Sequence, residues 1–129
     1  MDTKLSMSFL AEPNDANFSG NVHGGKVMKW IDEVGYALAV KYSKRYCVTK
    51  FVDDIEFLKP IEIGDLVKLD AEIIKFGNSS LRIKIDVFST DLIKGKSKKN
   101  CECFIVFVAL DKNGKKVNIK HPKKRIINS

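Results

Sequence analysis

The sequence predicts an α+β fold, in which one long helix lies across an antiparallel sheet. Residues 24–42 repeat their apolar side chains at the spacing of a helix. Residues 67–73 and 81–87 instead alternate apolar and charged side chains, as half-buried antiparallel strands do. Residues 103–110, CFIVFVAL, are apolar on both faces and predict a central strand that is covered on both sides. One helix cannot cover such a sheet completely, so we expect a second subunit to provide the missing cover.

Length and composition fit one globular domain that spans residues 1–129. Apolar residues make up 44% of the chain and charged residues 30%, which is ordinary for a protein with a buried core. No apolar run approaches the roughly 20 residues needed to cross a bilayer. The start of the chain, MDTKLSMSFL, carries an early acid and lacks the apolar stretch of a signal peptide. We therefore expect a cytoplasmic protein that does not engage a membrane.

The first third of the chain predicts a strand, a loop and the helix. Residues 4–10 form a short apolar stretch that favours a strand. The next segment, AEPNDANFSGN, is rich in Pro, Asn, Asp, Ser and Gly and predicts a loop. The helix is expected from Gly24 to about Tyr42, a length of about 27 Å at 1.5 Å per residue. Its apolar residues are separated by one, three or four positions: Val27, Met28, Ile31, Val34, Leu38 and Ala39.

The rest of the chain predicts about five strands, for a sheet of five to six strands in all. Two apolar runs, YCVTKFV and DIEFLKP, precede a turn at Pro60 and Gly64. The two alternating strands are separated by a turn at residues 76–80, FGNSS. After the strand CFIVFVAL, the pair Asn113 and Gly114 predicts a tight hairpin turn.

The three cysteines are expected to be buried, reduced and structural. They are Cys47, Cys101 and Cys103, an odd number in a chain without an export signal, which argues against a disulfide framework. A metal site is also not expected, because there is no C-x-x-C pair and only His23 and His121 could assist.

The net charge of +7 is concentrated in two basic segments, Lys94–Lys99 and Lys120–Arg125. Such segments are usually solvated loops and tails, but they can also attract nucleic acid or a phosphorylated cofactor. An RNA-binding module is the weaker alternative, because the sequence has no ribbon of aromatic side chains on which bases could stack.

The stretch NVHGGKVMKWIDEVG (21–35) carries a carboxylate on the predicted helix. Asp32 shares a helix face with small and apolar residues: Met28, Gly35, Tyr36 and Ala39. A partly desolvated carboxylate in that setting would be a better general base near neutral pH. The helix alone favours a simpler interpretation, in which Asp32 faces solvent beside Glu33 or pairs with Lys29.

The glycine pair Gly24 and Gly25 stands at the expected start of the same helix. A helix N-terminus presents unpaired N–H groups with partial positive charge, and glycine lets a substrate carbonyl approach the backbone. The alternative is that the two glycines only permit a tight entry from the loop into the helix. No serine or cysteine triad is visible in the sequence.

The long motif NDANFSGNVHGGKVMKWIDEVG, together with VTKFVDDIEFLKPIEIGDLV and the GNSS turn, resembles the acyl-CoA thioesterases of the hotdog fold. The closest resemblance is to their acyl-CoA hydrolase branch, and it covers nearly the whole chain. It implies a sheet wrapped around the central helix, and two subunits joined edge to edge with active sites at their interface. Dimers of this branch often assemble further, so the resemblance implies a dimer and a hexamer built as a trimer of dimers.

The resemblance also implies roles for the motif residues in acyl-CoA hydrolysis. Asp32 would activate water or attack the thioester directly, and the N–H of Gly25, with that of Gly24, would polarise the carbonyl. Asn21 would orient the water or hold the carbonyl, with Asn21 and Asp32 coming from different subunits. A turn or capping asparagine is the simpler interpretation of Asn21. Coenzyme A enters as part of the substrate, so no cofactor is expected.

Other residues are implied to bind the coenzyme A portion of the substrate. His23 would line the pantetheine passage, although a structural loop histidine is an equal alternative. The GNSS turn would offer N–H and hydroxyl donors from Gly77, Asn78, Ser79 and Ser80. Weaker candidates for the phosphates are Lys98, Lys99 and Lys123–Arg125. Two alternatives share the fold: an acyl-CoA-binding protein without catalysis, and a dehydratase with a catalytic histidine, which the motif fits poorly.

Overall fold

The computed structural model describes residues 2–122, which contain one α-helix, one short 3-10 helix and five strands. In chain order these are β1 (Lys4–Leu10), the 3-10 helix (Pro13–Asp15), α1 (Gly24–Ser43), β2 (Tyr46–Phe57), β3 (Leu66–Phe76), β4 (Ser80–Asp91) and β5 (Lys96–Leu110). The predicted α+β class is confirmed, and the predicted helix agrees with α1 to within one residue. Within the described part of the chain, no helix has both the length and the apolar character needed to cross a membrane.

The five strands form a single sheet in the order β1-β3-β4-β5-β2. Every pair of neighbours is antiparallel. β1 and β2 are therefore the two edges, and within residues 2–122 β2 pairs only with β5. The three interior strands, β3, β4 and β5, support the helix on one face of the sheet.

α1 packs across that face and makes the hydrophobic core with it. The strands contribute every second residue, a period of two that matches the predicted alternation. The buried helix residues include Trp30, which stacks on Phe9 with ring centroids 5.4 Å apart. The buried apolar strand residues include Val67, Leu69, Ala71, Ile73, Leu81, Ile83, Ile85, Val87, Cys101, Cys103, Ile105 and Phe107.

The structure corrects the prediction of two strands in residues 46–60. That segment forms one strand, β2, whose register with β5 shifts between Thr49 and Phe51 and again between Asp53 and Glu56. Asp54, inside the second shift, has a φ of 48°. Asp53 and Asp54 interrupt the apolar run in the sequence, but a bulge lets the backbone pairing continue past them. Four strands therefore follow the helix, not five.

The basic segment at residues 94–99 was expected to be a solvated loop, and the structure corrects this too. β5 begins at Lys96, so only the tip of the β4-β5 hairpin is a turn. Lys99 is held there by ion pairs with Asp86 and Glu102 on the outer face of the sheet. Cross-strand charge pairing thus extends the strand beyond its apolar part.

The apolar segment at residues 103–110 is an interior strand, but in one chain it is not covered on both sides. Its core-facing residues are buried, whereas Phe104 and Val106 on the outer face are only half-buried. The middle position in the sheet belongs to β4. The turn predicted at Asn113 and Gly114 is present, with Gly114 N–H donating to Asp111 O at 3.0 Å.

Candidate active site

The start of α1 is capped by the side chain of His23. Its Nδ1 accepts a hydrogen bond from Gly25 N–H at 2.9 Å. Its carbonyl oxygen accepts from Lys26 N–H at 2.9 Å and from Val27 N–H at 3.2 Å. Among residues 2–122, Gly24 N–H has no acceptor and is exposed at the helix tip. The Gly25 donor predicted to polarise a carbonyl is therefore present but occupied by the histidine ring.

The loop before the helix is organised by Asn17, a residue that the sequence analysis did not select. Its Oδ1 accepts from Ser19 N–H at 3.0 Å, Ser19 Oγ at 2.8 Å and Asn21 N–H at 3.1 Å. Its own N–H donates to Asn21 O at 2.7 Å. A pocket of about 500 Å³ beside it is lined by Ala16, Asn17, Phe18, His23 and Gly24.

Asn21, the predicted asparagine, is half-buried. Its backbone forms an antiparallel bridge with Glu62, and it is not among the residues lining the pocket at the helix start. The structure therefore brings Asn17, rather than Asn21, beside His23 and Gly24. The sequence alone does not single out Asn17, because the loop motif contains several asparagines and no periodic pattern distinguishes them.

Asp32 is exposed in the single chain, and its carboxylate is held by a second element. Thr49 on β2 donates from Oγ1 to Asp32 Oδ1 at 2.8 Å. The predicted neighbours Gly35 and Ala39 lie on the buried face of the helix, so they do not enclose the carboxylate. The expected desolvation of Asp32 is thus absent within one chain. Thr49 was also missed, because the contact joins residues 17 positions apart across two elements.

The carboxylate and the helix tip are too far apart to contact one carbonyl group within a single chain. Gly24 and Asp32 are eight residues apart on α1, a rise of about 12 Å. A hydrogen bond reaches only about 3 Å. Within one chain, Asp32 and the helix tip therefore cannot contact the same carbonyl group.

The GNSS turn lies at the opposite end of the helix from the glycine pair. Gly77 O accepts from His121 Nε2 at 2.8 Å, and His121 Nδ1 bonds the hydroxyl of Tyr42 at 2.7 Å. Tyr42 lies 18 residues beyond Gly24, a rise of about 27 Å. The backbone of the turn is also engaged, since the carbonyl of Asn78 accepts from Ile119 N–H at 2.7 Å.

The other two members of that turn sit at the start of β4. Ser79 O accepts from Ala109 N–H, and Ser80 O accepts from Gly77 N–H, both at 2.8 Å. Their hydroxyls make no hydrogen bond within residues 2–122. Backbone hydrogen bonds thus hold the turn in place and leave its two serine hydroxyls available to a ligand. The turn lies at the opposite end of α1 from the glycine pair.

The candidate lysines are placed differently from one another. Lys99 Nζ lies 2.8 Å from Glu102 and 3.1 Å from Asp86. Hydrogen bonds to these two carboxylates raise the pKa of Lys99, and the bond to Glu102 has the larger effect. Lys99 is therefore occupied by the sheet. Lys98 lines a pocket of about 320 Å³ that also contains Glu62 and Ser89. Lys123–Arg125 lie outside the described residues.

The predicted structural role of the cysteines is confirmed. Cys47, Cys101 and Cys103 are free and buried. Burial raises the pKa of Cys101 to about 11 and that of Cys103 to about 12. These thiols are protonated at neutral pH, so neither is a ready nucleophile.

Strand β2 presents an unpaired edge that is rich in exposed apolar side chains. An open edge of this length is a template for pairing with another strand. The exposed side chains are Tyr46, Phe51, Val52, Ile55 and Phe57. Thr49, and through it Asp32, therefore lies next to a surface suited to a second chain.

Comparisons with known proteins place the chain in a family. A family model described as thioesterase superfamily matches residues 19–96. Protein VdlD of Helicobacter pylori is 36% identical over 113 residues, which is 88% of this chain and 64% of that protein. An uncharacterized acyl-CoA thioester hydrolase of Bacillus subtilis, YkhA, is 36% identical over 118 residues, covering 92% of this chain and 69% of the relative. The chain thus spans less than two thirds of the Helicobacter relative.

Solved structures that resemble this chain include acyl-CoA thioesterases as well. An apo-hexameric acyl-CoA thioesterase matches with a TM-score of 0.88 and 29% identity, covering 91% of this chain and 75% of that one. The acyl-CoA hydrolase of Staphylococcus aureus, in complex with butyryl coenzyme A, coenzyme A and coenzyme A disulfide, matches with a TM-score of 0.85 and 30% identity, covering 91% and 71%. That hydrolase has also been solved with alanine in place of an asparagine, an aspartate or a threonine. The aspartate lies 15 residues after the asparagine, and the threonine 17 after the aspartate.

Proposed function

The chain belongs to the thioesterase superfamily and has the hotdog fold, and on this premise we propose that it is an acyl-CoA thioester hydrolase. The reaction converts acyl-CoA and water to a free fatty acid and coenzyme A. Relatives that bear the name acyl-CoA thioester hydrolase support this assignment. The proposed location is the cytoplasm.

One observation carries the proposal: the spacing of an asparagine, an aspartate and a threonine. In the Staphylococcus aureus hydrolase, the three substituted residues are separated by 15 and 17 positions. Asn17, Asp32 and Thr49 have the same two separations in this chain. Thr49 already donates to the Asp32 carboxylate at 2.8 Å. We therefore give Asn17 the role that the sequence analysis assigned to Asn21.

The chemistry follows from the positions of these groups. The Asp32 carboxylate takes a proton from water as the water oxygen attacks the thioester carbon. The C–S bond then breaks, and the protonated Asp32 returns the proton to the leaving thiolate, which departs as the thiol of coenzyme A. Direct attack by the carboxylate, giving an anhydride that water then cleaves, uses the same residue. Thr49 orients the carboxylate. Gly24 N–H, and Gly25 N–H once His23 releases it, stabilise the negative charge on the carbonyl oxygen.

The site is completed by a second chain in this proposal. The helix tip and Asn17 of one protomer meet Asp32 and Thr49 of its partner, because the two halves are about 12 Å apart along α1 of one chain. Pairing through the β2 edges gives the dimer. A hexamer built from three dimers is the proposed assembly, supported by hexameric neighbours.

Release of free thiol from acyl-CoA tests the function. Asp32→Asn is expected to reduce kcat by about 10²- to 10⁴-fold, the range for loss of a general base. Glu33→Gln is the matched control, since Glu33 is the adjacent exposed acid on α1 and has no ion pair within residues 2–122. Tight acyl-CoA binding by the wild-type protein without thiol release would instead identify a non-catalytic acyl-CoA-binding protein.

A further inference from the structure

The hairpin between β4 and β5 ends in an exposed apolar pair. We call residues 92–96 the hairpin tip. Leu92 is 56% exposed and Ile93 is 97% exposed, so the isoleucine side chain packs against almost nothing within residues 2–122. The hydrophobic core between α1 and the sheet does not include either residue. An apolar pair displayed in this way indicates a contact with something outside the chain.

The hairpin tip is an ordered turn that holds these side chains outward. Asp91 Oδ1 accepts from Ile93 N–H at 3.0 Å and from Lys94 N–H at 3.1 Å. Gly95 N–H donates to Asp91 O at 2.7 Å, and Gly95 has a φ of 69°, which glycine adopts without strain. Because the turn is already formed, little backbone entropy is lost when a partner binds it.

The hairpin tip projects beyond the part of β5 that pairs with β2. The register of β2 with β5 ends where Phe57 is opposite Cys101. β5 begins at Lys96, five residues earlier, which is about 17 Å along the strand. The tip therefore lies outside the paired length of β2, the edge proposed for the dimer.

More apolar surface lies beside the hairpin tip on the outer face of the sheet. Leu66 is opposite Thr90, two residues before Leu92, and Leu10 is opposite Leu66. Both Leu10 and Leu66 are exposed, because they occupy the outward positions of their alternating strands. The apolar surface at this end of the sheet is thus wider than the tip alone.

Lysine side chains accompany the apolar pair. Lys94 and Lys96 belong to the hairpin tip and Lys98 follows on β5, and none of the three makes an ion pair within residues 2–122. Apolar side chains flanked by lysines are typical of surfaces that bind lipid, since the apolar groups enter the headgroup region and the cations attract anionic headgroups. The cores of protein interfaces are instead depleted in lysine. The composition of the tip therefore favours an anionic lipid surface over a second protein.

The acids near the hairpin tip are set back from it. The Asp91 carboxylate is engaged by the N–H groups of its own turn. Asp65 is buried, and its Oδ2 accepts from Glu62 N–H at 3.2 Å. Glu62 is exposed but lies in the loop before β3, beside the pocket behind the tip. The outermost charges are those of Lys94 and Lys96, which leaves the tip positive.

The hairpin tip lies at the same end of the molecule as the start of α1. The backbone of Asn21 forms a bridge with Glu62, and Glu62 lines one pocket together with Lys94 and Lys98. A surface that binds the tip would therefore face the end of the molecule that carries the glycine pair. Long-chain acyl thioesters and fatty acids are amphiphiles that collect at bilayers, so this orientation suits the proposed substrate.

We propose that the hairpin tip binds a bilayer surface rich in anionic phospholipid. Leu92 and Ile93 enter the headgroup region, and Lys94 and Lys96 lie against the phosphates. The contact is peripheral and reversible, because two apolar side chains insert far less surface than a spanning helix does. This inference goes beyond the proposed hydrolase activity and does not depend on it. It replaces the expectation from the sequence that the protein does not engage a membrane.

Sedimentation with vesicles tests the proposal on the folded wild-type protein without acyl-CoA. Wild type should bind vesicles of phosphatidylglycerol and phosphatidylcholine, and the binding should weaken as salt is added. Leu92→Ser/Ile93→Ser and Lys94→Gln/Lys96→Gln are each expected to lower the partition coefficient about tenfold or more. No binding by wild type, or equal binding by the two variants, would overturn the proposal.

Two control variants make the same types of change at the opposite end of the sheet. Ile74→Ser removes an exposed isoleucine near the end of β3, and Lys115→Gln/Lys116→Gln removes two exposed lysines after β5. Both controls should bind vesicles as wild type does. Losses as large as those of the tip variants would show that binding follows overall charge or hydrophobicity, and the tip would not be the lipid site.

A second copy of the chain is the other candidate occupant of the hairpin tip. The mass in solution, measured by light scattering, should be the same for wild type and for Leu92→Ser/Ile93→Ser. Dissociation of the oligomer in that variant would assign the tip to a contact between copies and overturn the proposal. If wild type releases no thiol from acyl-CoA, the proposed function fails, while vesicle binding still decides the role of the tip.

Discussion

At the scale of single residues, the contact between Thr49 and Asp32 distinguishes this carboxylate from other exposed acids on α1. The hydroxyl of Thr49 fixes one oxygen of the carboxylate at 2.8 Å. A base that rotates freely loses part of its advantage, because the attacking water must be held in one geometry. Thr49 is thus a positioning residue for the proposed reaction.

Thr49→Val tests this role, since valine keeps the shape of threonine and removes the donor. We expect kcat to fall about 10- to 100-fold, the range for losing a hydrogen bond to a charged group, with KM little changed. Thr49→Ser, which restores the hydroxyl, should recover most of the activity. A purely structural role would predict that both variants lose stability and that serine does not restore kcat.

The sequence could identify Asp32 but not its partners. Asp32 was selected through the motif that resembles the acyl-CoA hydrolases, since the helical pattern alone favours an acid that faces solvent or pairs with Lys29. Thr49 and Asn17 become significant only through contacts that the fold creates. Thr49 contacts the helix from a strand, and Asn17 makes its contacts within an irregular loop. Asn21 was selected because it adjoins the glycine motif, whereas it is Asn17 that lines the pocket at the helix start with His23 and Gly24.

At the scale of elements, the fit of α1 against the sheet depends on Gly35. A Cβ placed on Gly35 would lie 2.8 Å from one ring carbon of Phe107 and 3.2 Å from Ile85 Cδ1. Glycine within a helix is normally unfavourable relative to alanine by about 1 kcal/mol. Here the missing side chain allows helix and sheet to approach closely, so packing outweighs helix propensity.

Gly35→Ala is therefore expected to destabilise the protein by about 1–3 kcal/mol, because the added methyl overpacks the core. Urea unfolding would measure this as a lower midpoint with an unchanged m-value. Gly24→Ala is a suitable control, since a Cβ there meets nothing within 4 Å. An increase in stability for Gly35→Ala would mean that the sheet moves away at little cost and that the close approach is incidental.

The elements that sequence predicted best are those whose pattern is set by a single buried face. α1, β3 and β4 each repeat apolar residues with one period, so their existence and extent follow from burial. β2 and the start of β5 are different, because charged residues there are accommodated by bulges and by a cross-strand ion pair. Those interactions depend on a neighbouring strand, which no local pattern encodes.

At the scale of the whole molecule, the groups proposed for catalysis lie apart from one another within a single chain. The helix tip, the GNSS turn and Asp32 are distributed along about 27 Å of helix. The open β2 edge, with exposed Phe51, Val52 and Ile55, lies beside the Asp32 half of the site. In the proposed dimer, a two-fold axis at this edge brings the N-terminal tip of one α1 to Asp32 of the other.

Mixing two inactive variants tests that arrangement. Asn17→Ala and Asp32→Ala subunits are unfolded together in equal amounts and refolded, and thiol release is measured. If each site takes Asn17 and Asp32 from different chains, half of the dimers are mixed and each holds one intact site, so activity returns to about a quarter of wild type. Each variant refolded alone is the control and should remain inactive. If both residues act within one chain, every site in the mixture carries a substitution and activity stays at the control level.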